Sequence, residues 1–146
     1  MKSRIQKEFN DHMATAKFTQ DSIAENLEKA ALMCIYSLNN NGKIILFGNG
    51  GSAADAQHMS GELIGRYLKE RKSFSAIALT TDSSILTALG NDYGFDTIFE
   101  RQIEAHANKN DAVIGISTSG NSENVLRAVN KANTIGAFTI GLVGND

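Results

Sequence analysis

Apolar residues recur at helical spacing over the first forty positions, and after that they collect into short runs separated by amphipathic stretches. Ile5, Phe9 and Met13 form one helical stripe. A second stripe, Ile23, Leu27, Ala31, Cys34 and Leu38, follows Ser22, with Glu25 placed for a capping box, so a separate helix is predicted there. The segment NNNG at 39 to 42 ends it. From Lys43 onward, β-branched runs at 43–47 (KIILF), 75–80 (SAIALT), 112–117 (AVIGIS) and 138–143 (FTIGLV) predict strands. Helices are predicted near 52–66, 83–90, 95–107 and 122–134.

Strands alternating with segments long enough for crossover helices predict right-handed βαβ units and a parallel sheet, an α/β class. Residues 1–41 then form a helical lead and 42–146 an α/β core, together one domain without internal repeats. Proline is absent, so glycine and asparagine do the punctuating. The sequence stops at GLVGND, directly after a strand, where this architecture normally adds a covering helix; a further C-terminal piece is expected beyond it.

Charge narrows the functional classes. Fourteen basic against sixteen acidic residues leave a net charge of -2, so no broad positive field exists for nucleic acid or an anionic membrane. Any phosphate recognition must be local. MKSRIQKEFN carries charges where a signal peptide needs an apolar run, and no stretch reaches the ~20 apolar residues of a membrane helix, which predicts a cytoplasmic protein. The single cysteine, Cys34, forms no internal disulfide, and its helical register points to core packing. YLKERK at 67–72 reads as a solvated face.

Ligands of open parallel sheets lie beyond the carboxyl ends of the strands, which directs attention to three features. GNGGS (48–52) follows the strand at 43–47 and opens a helix whose free N–H groups suit a phosphate or a sugar hydroxyl. Gly48, Gly50 and Ala53 satisfy G-x-G-x-x-A, but no acidic residue ends the next strand, and no lysine follows as a Walker motif requires. STSGNS (117–122) sets Ser117, Thr118, Ser119 and Ser122 around another helix start. An ordinary cap explains Asn121 or Ser122 but not the other hydroxyls, so a monophosphate cradle is the better reading. His58, Glu62 and Arg66 recur at i, i+4 and i+8 on the predicted helix, and the first two could ligate one divalent ion that needs further ligands from elsewhere.

GNGGSAADAQHMSGELIGRY (48–67), GNDYGF (90–95) and GISTSGNSENV (115–125), in this order, resemble the phosphoheptose isomerases, sedoheptulose 7-phosphate isomerases of the sugar isomerase (SIS) domain superfamily. The resemblance implies a flavodoxin-like α/β fold with N-terminal helices and a homotetramer. It implies that Asn49, Gly50, Gly51, Asn91 and Asp92 contact substrate, that Ser117, Thr118, Ser119 and Ser122 hold its phosphate, and that Ser52 adds a contact. His58 and Glu62 match zinc ligands, one ion per subunit, and Glu62 also matches the catalytic glutamate. Arg66 lies in the same helix with a less defined role. The resemblance further implies a C-terminal strand and a long helix that supply a glutamine and a histidine to complete the metal site and the acid/base pair, and neither residue stands in these 146 positions.

The implied chemistry is an aldose-ketose isomerisation, sedoheptulose 7-phosphate to D-glycero-D-manno-heptose 7-phosphate through an enediolate, opening the supply of heptose precursors for surface polysaccharide. Glu62 is the candidate base. The rival expectation is a non-catalytic SIS domain that senses a sugar phosphate or binds a protein such as the replication initiator. A carboxylate and a histidine converging on the cradle favour the enzyme.

Overall fold

The computed structural model describes residues 1–144. Its elements run α1 (Lys2–Asn39), β1 (Ile44–Gly48), α2 (Gly51–Ile64), β2 (Ala76–Ala78), α3 (Ser83–Tyr93), a 3-10 turn (Phe95–Thr97), α4 (Ile98–His106), β3 (Ala112–Ser117), α5 (Glu123–Ile135) and β4 (Phe138–Val143). The chain divides into two compact units, residues 1–32 and residue 33 onward. In the first unit the apolar side chains Ile5, Phe9, Met13 and Phe18 are exposed. Among the described residues, no helix is long and apolar enough to cross a membrane.

The two helices expected before residue 41 are one. The stretch between the apolar stripes, ATAKFTQDS, contains neither glycine nor proline to interrupt the ladder. Ser22 does not cap a new helix; its hydroxyl donates back to the Phe18 carbonyl, the i−4 alternative open to a mid-helix serine. Of the second stripe, Leu27 is exposed, whereas Cys34 and Leu38 are half-buried, so core packing of Cys34 is only partial.

The second unit holds a four-stranded parallel sheet in the order β2-β1-β3-β4. Alternation along the strands sorts side chains to opposite faces. Ile45, Phe47 and Val113 meet Phe99 and Ile103 of α4 and Val125, Ala128 and Ala132 of α5 in the main core. The Phe47 and Phe99 rings lie 5.2 Å apart. Gly115 sets the approach of α5, because a Cβ there would stand 3.1 Å from both Val125 and Val129. β2 is shorter than expected: after Ala78 the Thr81 hydroxyl turns back to the Ala78 carbonyl, and Asp82 caps α3 by accepting from the Ile85 N–H.

One carboxylate ties the edge of the sheet opposite its ligand end. Asp111 is fully buried and accepts from the Lys43 N–H (2.9 Å), the Lys43 Nζ (2.7 Å) and the Asn108 N–H (2.8 Å). A buried charge survives only when its lone pairs are used this fully. Asp111→Ala is therefore expected to cost about 3–5 kcal/mol in urea unfolding. Asp11→Ala, which breaks only the exposed Lys7–Asp11 pair of α1, is expected to cost about 0.3–0.5 kcal/mol. Equal losses in the two variants would overturn this account of Asp111.

Candidate functional site

The chain leaves β1 for β2 on one side and leaves β3 for β4 on the other, so the strand order reverses between β1 and β3. A crevice opens at such a switch point, beyond the carboxyl ends of the strands. The two loops singled out in the sequence flank it. Gly48 pairs with Ile116, so both loops leave the sheet at one level.

The glycine loop follows a course that Gly48 and Gly50 permit and a side chain would not. A Cβ on Gly48 would come within 2.7 Å of the Ile116 carbonyl oxygen and of Ser52 Cβ. Gly50 has φ +58, a conformation side chains rarely adopt. Gly51, the first residue of α2, differs: an added Cβ would meet nothing within 4 Å among the described residues. Packing does not require its missing side chain, and the bare backbone leaves room for a ligand to approach closely. Ser52 beside it is buried.

The serine loop is built around Ser117, which is 5% exposed at the end of β3. Its hydroxyl donates to Ser122 Oγ at 3.1 Å and lies 3.5 Å from Ser119 Oγ. The Ser119 hydroxyl also accepts from the Asn121 N–H at 3.2 Å, an ordinary turn role that sequence reading did not assign it. Thr118 and Ser119 are exposed. Ser122 occupies the N-cap position of α5, yet its side chain makes no cap bond. Its oxygen faces the hydroxyl cluster instead of the helix.

On α2, His58 Nε2 lies 3.6 Å from Glu62 Oε1. Two ligands about 2.0–2.1 Å from one tetrahedral zinc ion stand about 3.4 Å apart, so this pair fits two positions of such a site. Among the described residues no cluster of three His, Cys, Asp or Glu side chains forms, so the pair supplies only half of the coordination. His58 stands two turns from Gly51, about 10 Å along the helix. It borders a cleft of about 420 Å³ with Asp55, Met59, Ile116 and Leu142. A second cavity, of about 400 Å³, is lined by His58 together with Glu62, Cys34, Ile44 and Tyr67.

Several expectations change. Arg66 is not on the face of α2, because the helix ends at Ile64; Arg66 lies beyond it and approaches Glu70 at 4.0 Å. Arg71 fixes that ending. Its guanidinium donates to the carbonyls of Glu62 (2.9 Å), Leu63 (2.9 Å) and Gly65 (3.2 Å), satisfying groups the helix leaves open, and it stacks 4.1 Å over Phe74. YLKERK is thus not simply a solvated face. Asn91 and Asp92 sit exposed in the last turn of α3 and bond each other at 2.8 Å; no hydrogen bond among the described residues joins them to either loop. Asn124, unassigned in the sequence, is buried and bonds Asn49. A polar residue two places into a helix that follows a ligand loop was the available signal.

Comparison with known proteins agrees with this geometry. The SIS domain family matches residues 9–144. The chain is 56% identical over its whole length to the phosphoheptose isomerase of Aliarcobacter butzleri, covering 77% of that protein. It is 51% identical, again over its whole length, to that of Aquifex aeolicus, covering 76%. The solved phosphoheptose isomerase of Neisseria gonorrhoeae superposes with a TM-score of 0.90 at 42% identity, over 97% of this chain and 74% of that one. For that of Francisella tularensis the TM-score is 0.93 at 36% identity, over 98% and 76%.

Two outcomes follow from the local geometry. Gly51→Ala is expected to leave Tm unchanged or raise it, since alanine lowers unfolded-state entropy by about 0.4–1 kcal/mol. The same variant is expected to lose the thermal shift that sedoheptulose 7-phosphate gives the parent; a retained shift with unchanged Tm would remove Gly51 from the site. Burial pushes the Cys34 thiol up from its ordinary value. Iodoacetamide at pH 8 should accordingly modify Cys34 more slowly than glutathione, with intact-mass spectrometry as the readout.

Proposed function

The chain belongs to the SIS domain family and, within it, to the phosphoheptose isomerases, and on that footing we propose that it is a sugar phosphate isomerase converting sedoheptulose 7-phosphate to D-glycero-D-manno-heptose 7-phosphate. The observation that carries the reading is Ser122: an N-cap residue whose hydroxyl makes no cap bond and joins Ser117 instead. A cap is worth about 1 kcal/mol to a helix, and here the hydroxyl turns to the cluster instead, leaving the first N–H groups of α5 without a side-chain cap. A phosphate seated there takes hydroxyl hydrogen bonds from Ser117, Thr118, Ser119 and Ser122 together with the free N–H groups of α5.

With the phosphate anchored, the polyol extends across the switch point towards α2. Asn49, Gly50, Gly51 and Ser52 offer donors along that path. Glu62 removes the proton from C1, α to the C2 carbonyl; the electron pair forms the enediolate, a proton moves between O1 and O2, and C2 is protonated to give the aldose. His58 and Glu62 would hold two positions of a zinc ion, which when bound stabilises the enediolate oxygens as a Lewis acid. Glu62 Oε1 faces His58, so the base role falls to the carboxylate's other oxygen. A homotetramer belongs to the proposal, supported by the apolar residues that the first unit leaves exposed, as does a place at the start of heptose precursor supply for surface polysaccharide.

Proton NMR of sedoheptulose 7-phosphate in D2O, with the full chain and added zinc beside Glu62→Gln, tests the reading. The expected result is aldoheptose carrying deuterium at C2, reduced by about 10²-fold or more in rate in the variant. No conversion by folded, zinc-loaded protein would reject it and favour a sugar phosphate sensor or a partner-binding domain.

A further inference from the structure

Asn49 and Asn124 are 75 residues apart in sequence and face each other as a reciprocal carboxamide pair. Asn49 Nδ2 donates to Asn124 Oδ1 at 2.8 Å, and Asn124 Nδ2 donates to Asn49 Oδ1 at 3.0 Å. Asn124 is 3% exposed in the first turn of α5, and Asn49 is half-buried at the head of the glycine loop. Among the described residues, no other hydrogen bond joins the loop after β1 to the loop after β3. A requirement of packing alone could be met by two apolar side chains, which replace a buried hydrogen-bonded pair at little cost. An amide pair does what they cannot. It fixes the plane of both side chains, and it leaves Asn49 one N–H unused, aimed by the two bonds already made.

We infer that Asn124 is a positioning residue: by locking the Asn49 carboxamide it sets the spacing between the phosphate cradle and the glycine loop, so that a ligand spanning both finds its donors in place. This rests on the reading above that one sugar phosphate bridges the two loops. Preorganisation of this kind acts on the bridging ligand and not on a ligand that occupies one loop. Because an unpaired buried amide is unfavourable, the lock is made fully or lost as a unit.

The test compares the full-length parent with Asn124→Ala, Asn49→Ala and the double variant. It measures turnover of sedoheptulose 7-phosphate and, by calorimetry, the binding of that sugar phosphate and of inorganic phosphate. For Asn124→Ala we expect sugar phosphate affinity and kcat/KM to fall about tenfold or more, with inorganic phosphate affinity held within about twofold. In the Asn49→Ala background the same change should add less than about twofold, because its route of action is already gone. Parallel loss of inorganic phosphate binding would overturn the inference, since Asn124 would then merely hold the start of α5. So would multiplicative effects in the double variant, or an unaffected single one. Asn124→Leu keeps the volume, removes both bonds and adds no charge beside the cradle; it should give the same loss for the sugar phosphate with inorganic phosphate binding held, and it serves if the alanine variant unfolds. A parent that binds the sugar phosphate without turning it over rejects the isomerase and leaves the binding comparison to decide the lock. A parent that binds neither ligand rejects both.

Discussion

The pairing of β1 with β3 is the constraint on which the ligand end of the molecule depends. In-register parallel pairing from Ile44 opposite Ala112 to Gly48 opposite Ile116 brings two loops off the sheet at one height and on either side of the switch point. A slip of one residue would turn Ile45, Phe47 and Val113 away from α4 and α5 and would separate the loops as well. Core and site are therefore specified by the same hydrophobic alternation. Gly48 and Gly115 tighten this dependence, because each lets a neighbouring element approach closer than a side chain allows.

The chemistry available at this end is nearly uncharged. GNGGS and STSGNS contain neither lysine nor arginine, and the chain as a whole carries -2. An anion held there relies on hydroxyls, helix N-termini and backbone donors, which distinguish a tetrahedral phosphate by direction more than by field. Such a site sheds non-specific polyanions, which a basic patch would gather. Its local structure shows a matching departure from optimum stability: an N-cap serine that does not cap.

Much of this was legible before any coordinates. The strand at 112–117 and that at 138–143 are observed with those bounds, because continuous β-branched runs flanked by turn residues have few alternatives. The loops were legible because glycine and serine clusters after strands have few structural excuses. What escaped was decided by partners distant in sequence or by the lack of an interruption. A capping box at Ser22 is a local signal, and an unbroken helix outweighed it. Arg71 looked like one charge in a solvated run, and only the folded chain brings it to the open carbonyls of Glu62, Leu63 and Gly65. Asn124 was invisible for the same reason: its partner lies in another loop.

The arrangement on α2 sets the limits of what its carboxylate can do. At 3.6 Å from His58 Nε2, Glu62 Oε1 is too far for a strong hydrogen bond and close to the separation of two ligands on one tetrahedral ion. With 43% of its side chain exposed, Glu62 shares its surroundings with water. A carboxylate in water is a poor base for a carbon acid, and a metal on the same group would make it poorer still. A surface that covered α2 with the substrate seated would exclude that water and so favour the proton abstraction proposed for Glu62. The apolar cavity between Cys34, Ile44, Glu62 and Tyr67 is the place where such a cover would act, since sealing it removes solvent from the carboxylate without touching the phosphate cradle.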